Sequence, residues 1–457
     1  MPTAETDTQQ PSSPTSSAAL AQYPDRELGR AGSVQNGQTL VVIGGVHGNE
    51  RAGLIAGQRV LDRLGELEHP ELNGQLVVLA GNLAALNHAD PDTRYIDSDL
   101  NRLCREDQFL LPASASIEHA EMFGLFDALE SVHTQCADAD QQLIVLDLHT
   151  TSAPSRPIVA FEDSLAAREH AMRMPCPKYL GIEEEASGLV IDAVTQRFGC
   201  VSYLIEGGQH ENPDSARVLE AGIWIAMANA LIIDLDQIKW TQFDGHDPAG
   251  FLSTMSGHRG MDVFDVRHRE PILNTDFAIC DGIVSGTKLV AGKTKVAMQA
   301  GHPMHAPISG RMFLPNMQTH KRVCDDGFFI VRRVSSGWVN LSARIRKQSW
   351  VHSLIGAFPG VYRVGDEKLL IDADLACVLR RQFFHLFGYR LIDHDDRKGG
   401  VGVRRFVNGI QAFTQSILRG RVKDPESLIG DRDQDHTQEQ GRQESHFWIV
   451  QRRRLDR

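Results

Sequence analysis

The sequence predicts an α/β fold: a mixed sheet flanked by helices, followed by a small mainly-β domain and a helical C-terminal extension. Three observations predict it. Between residues 39 and 235, short β-branched runs alternate with longer helical stretches. The strand candidates are almost continuously apolar, as strands are when both faces of a sheet are covered. Beyond residue 244 the pattern breaks into short strand-like pieces interrupted by Gly, Pro and Asp, and from about residue 348 apolar residues recur at helical spacing.

Taken in order, residues 1–38 are rich in Ser, Thr, Gln, Ala, Pro and Gly and poor in large apolar residues. Such a stretch cannot offset its ordering entropy and is expected to be a disordered tail. Residues 39–244 form the first domain, with strands expected at 39–45, 75–81, 142–149, 158–161 and 200–206. Helices are expected at 51–64, 117–136 and 215–235. Residues 245–347 read as the small β domain, with strand pieces at 283–284, 295–298 and 328–332. His302 and His305 flank Pro303 there and are expected in a turn, with no third ligand in view. Residues 348–457 read as the helical extension and a charged tail. Leu375, Leu379, Phe383, Leu386 and Phe387 keep helical spacing, and a second run spans 403–418. An apolar patch at Phe447–Val450 would dock on the body or on a partner.

Composition narrows the function. A chain of 457 residues with 42% apolar and 23% charged residues is an ordinary globular protein of two or three domains. The net charge of -12 argues against general nucleic-acid binding, which needs a basic surface. No apolar run approaches the ~20 residues that span a bilayer, so no membrane partner is expected. The start of the chain has no basic and apolar segments of a secretory signal. The seven cysteines are scattered with no Cys-x-x-Cys pair, which fits a reducing cytoplasm. A homo-oligomer is left open.

Chemistry concentrates where strands stop. Gly44-Gly45-Val46-His47-Gly48-Asn49-Glu50 places an imidazole and a carboxylate three residues apart on a glycine-rich turn. These are ligand types for Zn²⁺, and a catalytic zinc takes three protein ligands plus water. His149, in Asp147-Leu148-His149, ends another apolar run and is the candidate third ligand. Glu206 ends a third such run. A carboxylate there has its pKa raised by desolvation, as a general base needs. Between the two ligand halves, Arg94 to Arg102 gathers two arginines and Asn101 into an anion-holding loop, with Asp97 and Asp99 as salt-bridge partners.

Four motifs in this order resemble the succinylglutamate desuccinylase/aspartoacylase family, zinc hydrolases related to the carboxypeptidase A-type metallopeptidases. They are His47–Glu50, Arg94–Arg102, Asp147–Ser152 and the strand-end Glu206. The resemblance covers residues 39–240 and implies a zinc carboxypeptidase-like fold with one Zn²⁺ held by His47, Glu50 and His149. It implies Glu206 as the base that deprotonates the zinc-bound water and later protonates the leaving amine. Arg94 would polarise the scissile carbonyl, and Asn101 and Arg102 would hold a substrate carboxylate. Arg197 lies near the place of a further substrate arginine, whereas the tyrosine the family takes from its C-terminal domain has no counterpart that can be placed. The expected reaction is amide cleavage of a small anionic N-acyl amino acid. The alternatives are a metallocarboxypeptidase acting on peptides and a non-catalytic zinc-binding protein.

Overall fold

The computed structural model describes residues 23–67, 71–257, 262–282, 289–348, 350, 355–358, 360–363, 368–372, 381–391 and 447–452. The strands are β1 Glu27–Gly32, β2 Thr39–Gly44, β3 Gln75–Ala80, β4 Leu143–Thr151, β5 Ile158–Phe161, β6 Lys178–Leu180, β7 Val201–Gln209 and β8 Val263–Pro271. They continue with β9 Ala278–Ile279, β10 Leu289–Val290, β11 Lys295–Gln299, β12 His302–His305, β13 Gly310–Phe313 and β14 Asp326–Val334. The main helices are α1 Ala52–Glu66, α2 Ile117–Asp138, α3 Leu165–Met172, α4 Val190–Phe198, α5 Ser215–Asn229, α6 Pro248–Ser256 and α7 Ser336–Arg346.

Why the central strands are apolar throughout is visible in what covers them. Alternate residues of a strand face opposite sides. Leu40, Val42, Leu76, Val78, Ile144 and Leu146 pack with the α1 residues Ala56 and Val60 and the α5 residues Ile223 and Trp224. Val41, Ile43, Val77, Leu79 and Val145 pack on the other side with Met122, Leu125 and Leu129 of α2 and Val194 of α4. The mixed α/β sandwich predicted from the sequence is therefore present. Its eleven-stranded sheet runs β1-β3-β2-β4-β7-β5-β6-β8-β14-β13-β10. The β3, β2, β4 and β7 strands are parallel, so their carboxyl ends share one edge, where ligands bind in such sheets.

Several expectations are corrected. Residues 27–32, expected within a disordered tail, form β1 instead, which lies on the edge of the sheet antiparallel to β3. An edge strand needs only one partner's ladder bonds and modest packing, here from Leu28 and Ala31. The 245–347 region is mainly β as expected, and four of its strands, β8, β14, β13 and β10, extend the main sheet. Beside them β12, β11 and β9 make a separate three-stranded sheet. His302 and His305 lie in a strand rather than a turn, with Pro303 opposite Met298. Pro303 is tolerated because β12 is an edge strand.

The extension departs most from its expectation. Its described residues form a four-stranded sheet, with β15 Val361–Arg363, β16 Lys368–Asp372, β17 Tyr389–Leu391 and β18 Phe447–Arg452 in the order β15-β16-β18-β17. Of the residues expected at helical spacing, Phe383 and Leu386 fall in the short α8, Arg381–Leu386. Val361, Leu369, Ile371 and Val450 pack with Phe384 and Tyr389, so the apolar patch near residue 450 docks on the chain itself. The expected pieces at 283–284 and 403–418, and Leu375 and Leu379, lie outside the described residues.

A buried ionic cluster joins this extension to the main body. Asp163 receives Arg168 at 2.5 Å and Arg346 at 3.3 Å on one oxygen, and Arg390 Nε at 3.0 Å on the other. Arg390 also reaches Asp265 at 3.1 Å and Glu184 at 3.4 Å, while His385 meets Glu184 at 2.9 Å.

Candidate active site

The first turn of the site is dictated by lack of space. Gly45 leaves β2 with φ +68°, and a Cβ on Gly48 would lie 2.5 Å from Ala85 O and 2.6 Å from Thr93 O. Only glycine lets the backbone pass this closely. Gly48 N donates to Arg94 O at 2.9 Å, which ties the His47 turn to the arginine loop. That loop is braced by Glu118 of α2, whose carboxylate accepts from the backbone N–H groups of Ile96, Asp97 and Ser98 at 2.6–3.0 Å. His149 is directly opposite Glu206 in the β4–β7 register, so neighbouring strands deliver both at the same height.

His47, Glu50 and His149 converge. Their potential donor atoms lie within 4.8 Å of one another, and each side chain is 4% exposed or less. The Nδ1 atoms of both histidines approach the Glu50 carboxylate, each at 2.9 Å. The opposite ring nitrogens are held by carboxylates: His47 Nε2 by Asp99 at 3.1 Å and His149 Nε2 by Asp147 at 2.9 Å. Such outer carboxylates orient a ligating imidazole and raise its basicity.

Do these residues suit a divalent ion? His47 Nδ1 is sealed from solvent and faces Glu50 at 2.9 Å without an aligned hydrogen bond. Two imidazoles and a carboxylate form a donor set that zinc takes. Electrostatics agrees. Burial disfavours charge on His149, but Asp147 and Glu50 outweigh it and raise its pKa well above the usual value. Glu50, despite its own burial, is held well below the carboxylate range by His47 and His149. The constellation is arranged to contain positive charge, and the residues fit the metal.

Glu206 has the opposite character. Burial pushes its pKa up to about 8, the nearby Glu50 adds to this, and His149 and Arg94 oppose it. Its Oε2 is buried without a partner. Arg94 donates to Glu50 at 3.0 Å and to Asp99 at 3.2 Å. Asn101 is buried, with Oδ1 accepting from Val190 N at 2.8 Å. Arg102 pairs with Asp326. All seven residues singled out from the sequence line one cavity of about 100 Å³, roofed by Leu314, Pro315, Asn316 and Gln318 from the β13–β14 connection. Arg197 is elsewhere: its guanidinium lies 4.4 Å over the Phe109 ring and does not line the cavity.

Sequence reasoning passed over Asp147, Glu118, Asp325 and Asp326, and treated Asp99 as a salt-bridge residue only. Asp147 carried a usable signal, since residues two apart on a strand share a face. Glu118 and the Asp325–Asp326 pair carried none, because their partners are distant in the chain.

Residues 36–183 match the family model described as the Succinylglutamate desuccinylase/Aspartoacylase catalytic domain. No curated protein matches the sequence. Among solved structures, the chain is similar to a succinylglutamate desuccinylase/aspartoacylase from Rhodobacter sphaeroides, at 19% identity over 66% of this chain and 87% of that one, with a TM-score of 0.47. It is also similar to a succinylglutamate desuccinylase from Vibrio cholerae (16% identity, 66% and 82% covered, TM-score 0.46). A third is the product-bound ectoine utilization protein EutE (DoeB) from Ruegeria pomeroyi (14% identity, 65% and 85% covered, TM-score 0.46). Among the described residues, no helix is long and apolar enough to cross a membrane.

Proposed function

With residues 36–183 matching a succinylglutamate desuccinylase/aspartoacylase catalytic domain, we propose that this protein is a zinc-dependent amidohydrolase that removes the acyl group from a small N-acyl amino acid. His47, Glu50 and His149 would hold the ion, with Asp99 and Asp147 orienting the two imidazoles. A bound Zn²⁺ supplies positive charge that polarises the acyl carbonyl and acidifies water.

The chain's own groups then divide the remaining work. Glu206 accepts the proton of the attacking water and returns it to the departing amine. Its raised pKa and unpartnered oxygen support this role. Arg94 would stabilise the oxyanion, its guanidinium lining the same cavity and held in place by Glu50 and Asp99. Asn101 and Arg102 position a substrate carboxylate.

The reading rests chiefly on one observation: three buried ligand-type side chains converge in the cavity that Glu206 also lines. The small volume of that cavity, about 100 Å³, favours small amides over peptide chains. The test is release of acetate, formate or succinate from N-acyl amino acids by the zinc-loaded protein, with chelator and Glu206→Gln controls. Chelator-sensitive release that Glu206→Gln abolishes is expected. Release that is indifferent to both overturns the proposal.

A further inference from the structure

Arg102, assigned above to a substrate carboxylate, already has a carboxylate on it. Asp326, the first residue of β14, pairs with Arg102 through one oxygen and with Arg269 of β8 through the other. Its neighbour Asp325 takes the Tyr95 hydroxyl at 2.6 Å and, through its other oxygen, the backbone N–H of Arg322 at 2.9 Å. Both aspartates line the catalytic cavity beside Arg102. The other guanidinium of the cavity is engaged too, Arg94 by Glu50 and Asp99, while Val190 N–H on Oδ1 fixes the Asn101 amide. Asp326 is a partly shielded charge, with its side chain 17% exposed against 24% for Arg102. In such a place a like charge is felt more strongly than in bulk water.

We propose that Asp326 is a specificity-determining residue that tunes the pocket to N-acyl amino acids with a single carboxylate and against those with two. The idea rests on the amidohydrolase reading and names its substrate class. Two of the five N–H donors of a guanidinium go to Asp326 and to Asn101 O. Arg102 thus keeps donors for one substrate carboxylate, and Asp326 orients it. A second carboxylate brought into the same chamber meets the Asp325–Asp326 pair, and among the described residues both arginines that line it, Arg94 and Arg102, already hold carboxylates. Discrimination of this kind comes from a repulsive element as much as from an attractive one.

N-acetylasparagine and N-acetylaspartate have nearly the same shape and differ by one charge. Their binding is measured by calorimetry on full-length zinc-loaded protein carrying Glu206→Gln, with and without Asp326→Asn, and their turnover on the active counterparts. Without the Asp326 change, N-acetylasparagine should be preferred about tenfold, and more salt should narrow the gap. Asp326→Asn should move the ratio of the two affinities about tenfold toward N-acetylaspartate, whatever loss common to both ligands the disturbed Arg102 brings. Equal affinities, a preference for N-acetylaspartate, no binding of either ligand, or a parallel loss of both on substitution overturns the proposal. The wild-type comparison needs no variant, so a poorly folding Asp326→Asn does not blunt the test. Turnover without charge discrimination defeats this inference alone, whereas discrimination in binding without any turnover defeats the amidohydrolase reading alone.

Discussion

Glu50 and Asp163 are both buried carboxylates among basic side chains, yet their surroundings are built differently. Each Asp163 oxygen is met by guanidinium donors from Arg168, Arg346 and Arg390. Around Glu50, by contrast, Asp147 Oδ1 and Glu206 Oε2 are buried without hydrogen-bond partners, and His47 Nδ1 faces Glu50 without an aligned bond. An unpaired buried polar atom costs stability and persists where it serves something else. The Asp163 cluster is closed and joins the extension to the sheet. The Glu50 cluster is left open, as a site must be to receive an ion, a water and a substrate.

Four measurements sharpen or break that contrast. The largest effect is expected for Glu206→Gln, which should lower kcat about 10²–10⁴-fold while zinc content stays that of wild type. An accompanying loss of metal would place Glu206 among the ligands instead. Asp163→Ala should follow, costing about 3–5 kcal/mol in a denaturant titration because three buried guanidinium groups lose the carboxylate they share. Zinc content should not change; if it falls, the two clusters are not independent. Asp147→Asn should weaken zinc about 10–100-fold in a competition with a chelating dye, by loosening the His149 ring. An unaltered affinity would reduce Asp147 to a packing residue.

The smallest effect is the pH dependence, and here the clusters should slope in opposite directions. Burial would raise the Asp163 pKa, but its three arginines hold it well below the ordinary carboxylate value. A depressed folded pKa contributes stability that is complete above the unfolded value near 3.9 and drains away as pH falls below it. Glu206 is raised instead, so in metal-free protein its contribution is complete below its unfolded value of 4.5 and is lost as pH rises toward about 8. Denaturant midpoints against pH for chelated wild-type, Asp163→Ala and Glu206→Gln proteins should lose the acid limb in the first variant and the neutral limb in the second.

The parts of the molecule that could be read from the sequence are those whose cause is local. The central strands announce themselves because covered faces demand unbroken apolar runs, and His47, His149 and Glu206 were conspicuous as polar residues where those runs stop. That they converge is geometry; the roles assigned to them remain the proposal above. What could not be read depends on pairing over distance. The Arg102–Asp326 pair joins residues 224 apart, and neither neighbourhood hints at the other. In the extension, Phe383, Leu386 and Phe387 satisfied helical spacing, but α8 spans only 381–386. The surrounding strands of three to six residues are too short for a period-2 pattern to stand out. Likewise β1, Glu27–Gly32, is held mainly by the exposed edge of β3, which composition cannot report.

The order of strands in the large sheet also limits how the chamber can breathe. His149 and Glu206 stand on β4 and β7, and the roof residues hang between β13 and β14, yet all four strands belong to one continuous ladder. Swinging ceiling from floor as rigid halves would tear main-chain bonds between β6 and β8 or between β8 and β14. Adjustment of the chamber to what it binds therefore falls to the connection around Leu314–Gln318 rather than to the strands.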